Sequence, residues 1–303
     1  MKKMILTTAF VILVPFIIVS ILIKSENVEF KIVTNQNVRI KRENGLIDTV
    51  LFEDYIVGVL AGEMPANFEI EALKAQALAA RSYVLKKMEQ NVNEEYDILD
   101  TVMNQVYLDE EKMKQKWNEN YEANLNKIKQ AVSETAGEYL TYEGEVIEAF
   151  FFSTSTGKTE NCEEVFQQAL PYLRSVDSSW DSEISPVFSE IYKFTLEEFY
   201  QKLNLTYQDQ LKVEILETTS TGRIKKIKIN DKEMTGNDVY KALNLKSTYF
   251  NITQSGNYVT INTKGYGHGV GMSQYGAQAM ALKGYKYDEI VKYYYQGVEI
   301  SKM

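Results

Sequence analysis

The sequence predicts an α+β fold: an N-terminal transmembrane helix followed by a mixed helix and antiparallel-sheet domain with a cleft. Three observations support this class. An uncharged apolar run, Met4 to Ile23, begins the 303-residue chain. Helical and alternating hydrophobic patterns are then interleaved along the sequence. Near the C-terminus, a glycine-rich stretch from Gly265 to Gly276 joins a predicted hairpin to a predicted helix.

The apolar run is just long enough to cross a bilayer as a helix. Lys2 and Lys3 precede it, which places the N-terminus in the cytoplasm and everything after Lys24 outside the membrane. The residues from Ser20 to Lys24 offer no small-x-small cleavage site, so we expect an uncleaved anchor over residues 1–24.

Residues 25–49 alternate between apolar and polar side chains, which predicts edge strands or an extended stalk. A helix is predicted from Val50 to Leu60 and is broken by Gly62-Glu63-Met64-Pro65. Asn67 is a plausible N-cap for a second helix that runs to about Met88. Its many alanines predict a buried scaffold helix that other elements approach closely.

Residues 91–122 are strongly charged with mixed signs, which is typical of solvated surface. A helix is predicted from Asn124 to Gly137, followed by a hairpin that ends in the apolar run Ala149–Phe152. A hydroxyl-rich loop, Ser153 to Glu160, comes directly after that run. Loops at the end of a buried strand are common places for ligand contacts.

The region between Ser185 and Asn262 reads as a meander with two short helices, and we expect it to pack as a subdomain on one side of the main domain, residues 50–303. One helix is predicted from Thr195 to Leu203, and Thr235 is placed to cap the other. The final hairpin of this region leads into the glycine-rich stretch.

The composition excludes several function classes. A net charge of −9 argues against a nucleic-acid partner, which would need a surplus of Lys and Arg on one face. Cys162 is the only cysteine, so no intrachain disulfide can form. Together with His268, the only histidine, it supplies two metal ligands where zinc normally needs three or four, so no metal or other cofactor is expected.

The glycine-rich stretch reads Gly-Tyr-Gly-His-Gly-Val-Gly-Met-Ser-Gln-Tyr-Gly and surrounds His268. Glycine is costly in conformational entropy and buries no side chain, so the backbone itself must require it here. Positive φ angles and close approach of other atoms to the main chain are the usual reasons. We therefore expect the wall of a cleft, with a simple tight loop as the alternative.

Three segments resemble the stage II sporulation protein D family of peptidoglycan lytic transglycosylases. They are the glycine-rich stretch with its continuation to Gly297, the segment Glu63-Met64-Pro65-Ala66 with Glu71 to Tyr83, and the hydroxyl-rich loop. In that loop Thr156 stands where the family usually has glycine, and Phe152 stands where a histidine often precedes the first serine. The resemblance covers roughly residues 52–300.

Glycosidic bond cleavage needs a carboxyl group that protonates the leaving oxygen, and an apolar setting raises its pKa. Glu63 has apolar neighbours, whereas a nearby helix N-terminus would favour its ionised form, and the sequence does not rank the two effects. The resemblance implies that Glu63 is the catalytic acid. It would cleave between N-acetylmuramic acid and N-acetylglucosamine and form a 1,6-anhydro sugar without adding water.

Further residues are predicted to contact the glycan. Arg81 is read equally as a ligand of the glycan or as half of a structural ion pair, and His268 would donate to a sugar hydroxyl or orient Glu63. The complete set of predicted substrate-binding residues is Arg81, Ser153, Thr154, Ser155, Tyr266, His268, Ser273, Gln274 and Tyr275.

The resemblance also implies a cellular role in septal wall remodelling and engulfment during sporulation. There the enzyme would cut strands already stripped of stem peptides by a partner amidase, with a further membrane protein organising the complex. Two alternatives stay open. A non-catalytic peptidoglycan-binding scaffold would use the same cleft without turnover, and Cys162 with His268 could form a peptidase dyad, although the acidic neighbours of Cys162 oppose thiolate formation.

Overall fold

The computed structural model describes residues 34–101, 104–166 and 168–303. The helices are α1 (Phe52–Glu63), α2 (Ile70–Gln90), α3 (Glu110–Trp117), α4 (Tyr121–Glu134), α5 (Cys162–Val165), α6 (Asp181–Ile184), α7 (Leu196–Lys202), α8 (Gly236–Ala242), α9 (Gln274–Leu282) and α10 (Tyr287–Tyr294), with a 3₁₀ turn at Asn118–Asn120. The strands are β1 (Asn37–Lys41), β2 (Ile47–Leu51), β3 (Ile98–Leu99), β4 (Glu138–Tyr142), β5 (Glu145–Val146), β6 (Phe151–Phe152), β7 (Ser189–Thr195), β8 (Val213–Thr218), β9 (Ile224–Ile229), β10 (Lys232–Thr235), β11 (Phe250–Ser255), β12 (Tyr258–Lys264), β13 (Met272–Ser273) and β14 (Glu299–Lys302).

The mixed α+β class is confirmed for the described residues. The predicted membrane anchor, residues 1–24, and the first part of the predicted stalk lie outside them. Across the part of the chain that is described, no helix is both long and apolar enough to cross a membrane. The later part of residues 25–49 forms β1 and β2, which pair antiparallel, and β3 joins β1 in parallel.

The main core surrounds α2, as its alanine content predicts. Ala72, Ala75, Ala79 and Ala80 are fully buried, and α1, α4, α9 and α10 all pack against this helix. The predicted Asn67 cap is wrong. Residues 65–68 form a turn closed by the Phe68 N–H on the Pro65 carbonyl, and the helix begins only at Ile70.

A short parallel pair joins the hydroxyl-rich loop to the glycine-rich stretch. Strand β6 is only two residues long and pairs with β13, so that Phe152 lies opposite Ser273. Isolated bridges continue this contact between Thr154 and Tyr266 and between Glu160 and Val270. Two segments more than a hundred residues apart in sequence therefore lie side by side and form one surface.

A second hydrophobic cluster is formed by residues between Leu196 and Ile261. Its two three-stranded sheets have the orders β10-β9-β8 and β11-β12-β7. Thr195 and Thr235 each cap their helix with a reciprocal capping box, as expected for Thr followed three residues later by Glu or Asp. Strand β12 ends at Lys264 and leads directly into the glycine-rich stretch.

Candidate active site

A cavity of about 540 Å³ lies where α1, α2, the hydroxyl-rich loop and the glycine-rich stretch meet. The structure places Glu63 and His268 on its wall together. Most of the remaining wall is aromatic or apolar, which suits a sugar chain that stacks on ring faces. The lining residues are Glu63, Tyr83, Asn104, Val106, Phe150, Phe151, Phe152, Ser153, Phe166, Tyr266, Gly267, His268 and Gln274.

Glu63 is the last residue of α1, so it lies at the carbonyl end of a helix. The partial negative charge at that end disfavours a carboxylate. The N-terminus of α2, whose partial positive charge would favour one, lies further along the chain, because α2 begins only at Ile70. Burial is the largest influence on this carboxyl and raises its pKa to about 7, although the Val106 N–H, Gln274 and Lys116 favour the ionised form. A group that titrates near neutral pH can both donate and accept a proton.

The Val106 N–H donates to Glu63 Oε1 at 2.7 Å and fixes the carboxyl. The segment that carries it lies against α1, because Gly58 and Gly62 leave room there. A Cβ at Gly62 would lie 2.6 Å from the Val106 carbonyl oxygen. The expectation that residues 91–122 are mostly solvated surface is therefore wrong for Asn104 to Leu108, which form part of the site.

The glycine-rich stretch needs its glycines for the reason the sequence suggested. Gly265, Gly267, Gly269 and Gly271 all have positive φ, between 75° and 101°. The backbone also runs close to its neighbours, since a Cβ at Gly271 would lie 2.0 Å from the Phe150 carbonyl oxygen. Any side chain at this position would separate the stretch from the floor of the cavity.

His268 enters the cavity as a neutral ring. Its Nδ1 accepts a hydrogen bond from the Val270 N–H at 3.1 Å, which leaves the proton on Nε2. The rings of Phe150, Phe152 and Phe166 surround it, with centroids 5.4–6.0 Å away. Burial, followed by the charge of Arg223, lowers the pKa of His268 to about 4.

Behind the glycine-rich stretch, Arg223 from the second cluster forms an ion pair with Glu160 at 3.2 Å, and both side chains are almost wholly buried. Arg223 also donates to the Gly267 carbonyl at 2.8 Å. The Thr221 hydroxyl donates to the Glu160 carboxylate. This pair anchors the backbone that carries His268.

Three predicted contact residues besides His268 line the cavity: Ser153, Tyr266 and Gln274. Tyr266 is 37% exposed and has the Lys246 ammonium 4.2 Å from its ring centre. Gln274 Nε2 lies beside Glu63 and favours its ionised form, but it makes no hydrogen bond of standard geometry among the described residues. A buried donor of this kind is available to a ligand.

Arg81 lies outside the cavity wall in the main core and is fully buried. Its guanidinium donates to both Glu53 carboxylate oxygens, to the Thr135 hydroxyl and to the Val132 carbonyl. Of the two readings that the sequence left equal, this geometry fits the structural ion pair. A glycan ligand would have to break a buried network to reach this side chain.

Four further predicted contact residues are engaged within the protein. Thr154 pairs with Ser185 through their hydroxyls, and Ser155 donates to the Ser178 carbonyl. The Ser273 hydroxyl caps α9 and donates to Asp181, while Tyr275 packs edge-on against Phe68. These side chains therefore support the cavity wall through contacts within the protein, whereas the sequence analysis predicted that they contact the substrate.

Cys162 belongs to the main core and is 1% exposed. Burial, with Glu148 and Glu163, raises the pKa of its thiol to about 11, which opposes the thiolate that a peptidase needs. Among the described residues, no three His, Cys, Asp or Glu side chains are grouped so that they could hold a metal ion.

The sequence analysis did not predict seven residues of the cavity wall as site residues: Tyr83, Asn104, Val106, Phe150, Phe151, Phe152 and Phe166. It also missed Asp181, which accepts hydrogen bonds from the Ser155 N–H and the Ser178 hydroxyl beneath the wall. Burial raises the pKa of Asp181 despite these donors. The sequence does carry one signal for the segment that contains Val106. Gly58 and Gly62 are four residues apart on α1 and mark a helix face that another segment approaches closely.

Comparison with known proteins identifies relatives of this chain. A family model described as "Stage II sporulation protein" matches residues 41–142, which include Glu63 and Val106. Stage II sporulation protein D of Bacillus subtilis is 44% identical over 264 residues, covering 86% of this chain and 77% of that protein. The chain belongs to the stage II sporulation protein D family.

Two more distant relatives extend the stage II sporulation protein D comparison. An uncharacterised protein of Brachyspira hyodysenteriae is 34% identical over 260 residues, covering 84% of this chain and 68% of that protein. The amidase enhancer of Bacillus subtilis is 32% identical over an alignment of 299 positions, and the match covers 80% of this chain and 40% of that protein.

Proposed function

We propose that this member of the stage II sporulation protein D family is a lytic transglycosylase that cleaves peptidoglycan glycan strands between N-acetylmuramic acid and N-acetylglucosamine. The observation that carries the proposal is Glu63, whose pKa is raised to about 7 on the wall of an aromatic cavity. Among the described lining residues it is the only carboxylic acid. An inverting hydrolase would need a second carboxylate to activate water.

One carboxyl group completes the proposed reaction. Protonated Glu63 donates its proton to the glycosidic oxygen as the bond to muramic C1 breaks. The muramic C6 hydroxyl oxygen then bonds to C1, and its proton passes to the Glu63 carboxylate. The products are an N-acetylglucosamine end with a free hydroxyl and a 1,6-anhydro-muramic end. No water is consumed, and the acid is regenerated.

The substitution Glu63→Gln tests this role, because it keeps the size of the side chain and removes the acid. We expect cleavage to fall by at least about a hundredfold while binding of glycan strands is retained. The measurement is mass spectrometry of purified strands, with and without stem peptides, after incubation with each form. Glu69→Gln, an exposed glutamate six residues further on, is the matched control and should cleave normally.

Each product pattern has a distinct meaning. Anhydro ends produced by the unsubstituted chain and by Glu69→Gln, but not by Glu63→Gln, support the transglycosylase. Reducing ends would indicate a hydrolase. The absence of cleavage with retained binding would favour the non-catalytic scaffold, and faster cutting of peptide-free strands would support the expected preference for stripped substrate.

The cellular setting is also part of the proposal. Residues 4–23 have the composition of a membrane anchor, with the domain outside the cell membrane at the sporulation septum. Because Cys162, the only cysteine of the chain, is buried, a cysteine introduced at the surface should be the only thiol of this protein that a membrane-impermeant maleimide labels in intact cells. Lack of labelling would contradict this orientation.

A membrane-bound amidase and a further membrane scaffold protein are the proposed partners. The name of the amidase enhancer among the relatives is compatible with an amidase partner. Co-purification of an amidase with the full chain from sporulating cells tests the pairing, and its consistent absence would contradict it.

A further inference from the structure

Lys116, in the last turn of α3, reaches across to the carbonyl end of α1. Its Nζ donates to the Ala61 carbonyl oxygen at 2.7 Å and lies 3.4 Å from that of Gly62. The last carbonyls of a helix have no partner within the helix and need donors from outside. The Met64 N–H donates to the Leu60 carbonyl, and Lys116 is the donor for the next two carbonyls, those of Ala61 and Gly62.

The same ammonium acts through its charge on Glu63, the residue after Gly62, without forming a salt bridge with it. Other lysines of α3 are directed elsewhere: Lys114 pairs with Glu110 at 2.6 Å, and Lys112 lies 3.8 Å from Asp100. Within the described part of the chain, no carboxylate lies within salt-bridge distance of Lys116. Its charge therefore acts on the end of α1 and on Glu63.

Few other groups can set the charge balance around Glu63. Tyr55 on α1 and Tyr83 on α2 interact with it, and burial raises the pKa of both phenols, so they are neutral at physiological pH. Gln274 on α9 and the Val106 N–H are polar but uncharged. His268 faces the same cavity as a neutral ring. Lys116 is thus the one cation among the described groups that interact with Glu63; burial lowers the pKa of its ammonium, and the Glu63 carboxylate opposes that shift.

We propose that Lys116 is a positioning residue for Glu63, which holds the helix end that carries the carboxyl and supplies the counter-charge that favours the carboxylate after its proton has been given up. The catalytic part of this inference rests on the proposed function. Burial increases the fraction of Glu63 that is protonated before the reaction. The charge of Lys116 lowers the proton affinity of Glu63, so the carboxylate that the second step needs is less unfavourable.

The proton affinity of Glu63 can be measured without any activity. The free energy of unfolding of the full chain is followed from pH 5 to pH 9, with and without Glu63→Gln, in the unsubstituted and Lys116→Met backgrounds. The difference between each pair reports the folded-state pKa of Glu63. We expect its midpoint to rise by about half to one pH unit in Lys116→Met, since an opposite charge near a carboxyl shifts its pKa by one unit or more before solvent screening.

Three variants separate charge from structure. Lys116→Arg should keep the original midpoint, and Lys114→Met should not move it. Lys116→Gln retains a donor for the carbonyls but no charge, so it should shift the midpoint as Lys116→Met does and serves if that form is unstable. An unmoved midpoint in both uncharged variants overturns the inference, whether or not the chain cleaves glycans.

The pH profile of strand cleavage gives a second measurement. The decline at high pH should shift upward in Lys116→Met by the same amount, and high salt should shift the unsubstituted chain in the same direction because it screens the cation. If the unsubstituted chain does not cleave, the proposed function fails while the unfolding measurement still decides the role of Lys116. A profile that stays fixed while the unfolding midpoint moves would overturn the catalytic part alone.

Discussion

At the scale of single residues, the site combines two groups whose surroundings move their pKa values in opposite senses. Burial raises the pKa of Glu63 to about 7 and lowers that of His268 to about 4. Near neutral pH His268 is therefore uncharged, and Glu63 is close to half protonated. The ring stays neutral near physiological pH and its remaining N–H faces the Phe151 backbone, which suits His268 to order the cavity wall better than to transfer a proton.

The state of His268 can be observed directly because it is the only histidine. Its imidazole proton NMR signal should stay at the neutral position from pH 8 down to about 5.5, because the folded-state pKa lies near 4. Since that pKa is depressed, its contribution to stability is present above the ordinary value of 6.5 and is lost as pH falls towards 4. A midpoint near 6.5 in the folded chain would contradict the buried, neutral ring.

The sequence predicted some of the site and not the rest, for a physical reason. Glu63, Tyr266, His268 and Gln274 lie in segments with unusual local composition or family resemblance. The Val106 N–H could not be foreseen, because a backbone donor has no sequence signal and its partner is 43 positions away. The hydroxyls of Thr154, Ser155 and Ser273 suggested substrate contacts, yet the fold turns them towards buried acceptors.

At the scale of secondary-structure elements, helices were predicted better than their contacts. Helix α2 and the two Thr-capped helices follow from hydrophobic spacing and capping chemistry. The predicted strand Ala149–Phe152 shrinks to the two residues of β6, because its partner β13 is equally short. The packing of residues 104–108 on α1 depends on two glycines that a helical pattern alone would count as weak positions.

The substitution Gly62→Ala tests that packing. The added methyl would lie 2.6 Å from the Val106 carbonyl oxygen, so the segment must move and its N–H must leave Glu63. We expect cleavage to fall about ten- to a hundredfold, since small displacements of a catalytic group are costly. The free energy of unfolding is the control: a gain of about 1 kcal/mol from the better helix former, with unchanged cleavage, would show that the contact is not tight.

At the scale of the whole molecule, two hydrophobic cores meet beneath the glycine-rich stretch. The Arg223–Glu160 pair joins them, with Ser220 also donating to Glu164 across the same boundary. Such a buried pair depends on both partners, because removing one leaves an uncompensated charge. The second core thereby affects the cavity through the backbone of Gly267.

We expect Arg223→Met to lower the free energy of unfolding by about 3–5 kcal/mol, and replacement of both partners by apolar residues to recover much of that loss. Denaturant unfolding measures both. The control is Arg174→Met, which breaks an exposed pair with Glu163 and should cost at most about 1 kcal/mol. A double substitution as damaging as the single one would show that the ion pair itself, and not the stranded charge, stabilises the junction.

The wall of the cavity is completed by the end of the chain. Glu63 is present early, but His268, Gln274 and strand β13, which pairs with β6, all lie beyond residue 264. A chain synthesised only as far as that residue therefore carries Glu63 without the rest of the cavity wall. If the protein cuts the cell wall as proposed, the order of synthesis acts as a safeguard, since cutting becomes possible only after the last 39 residues have been exported and folded.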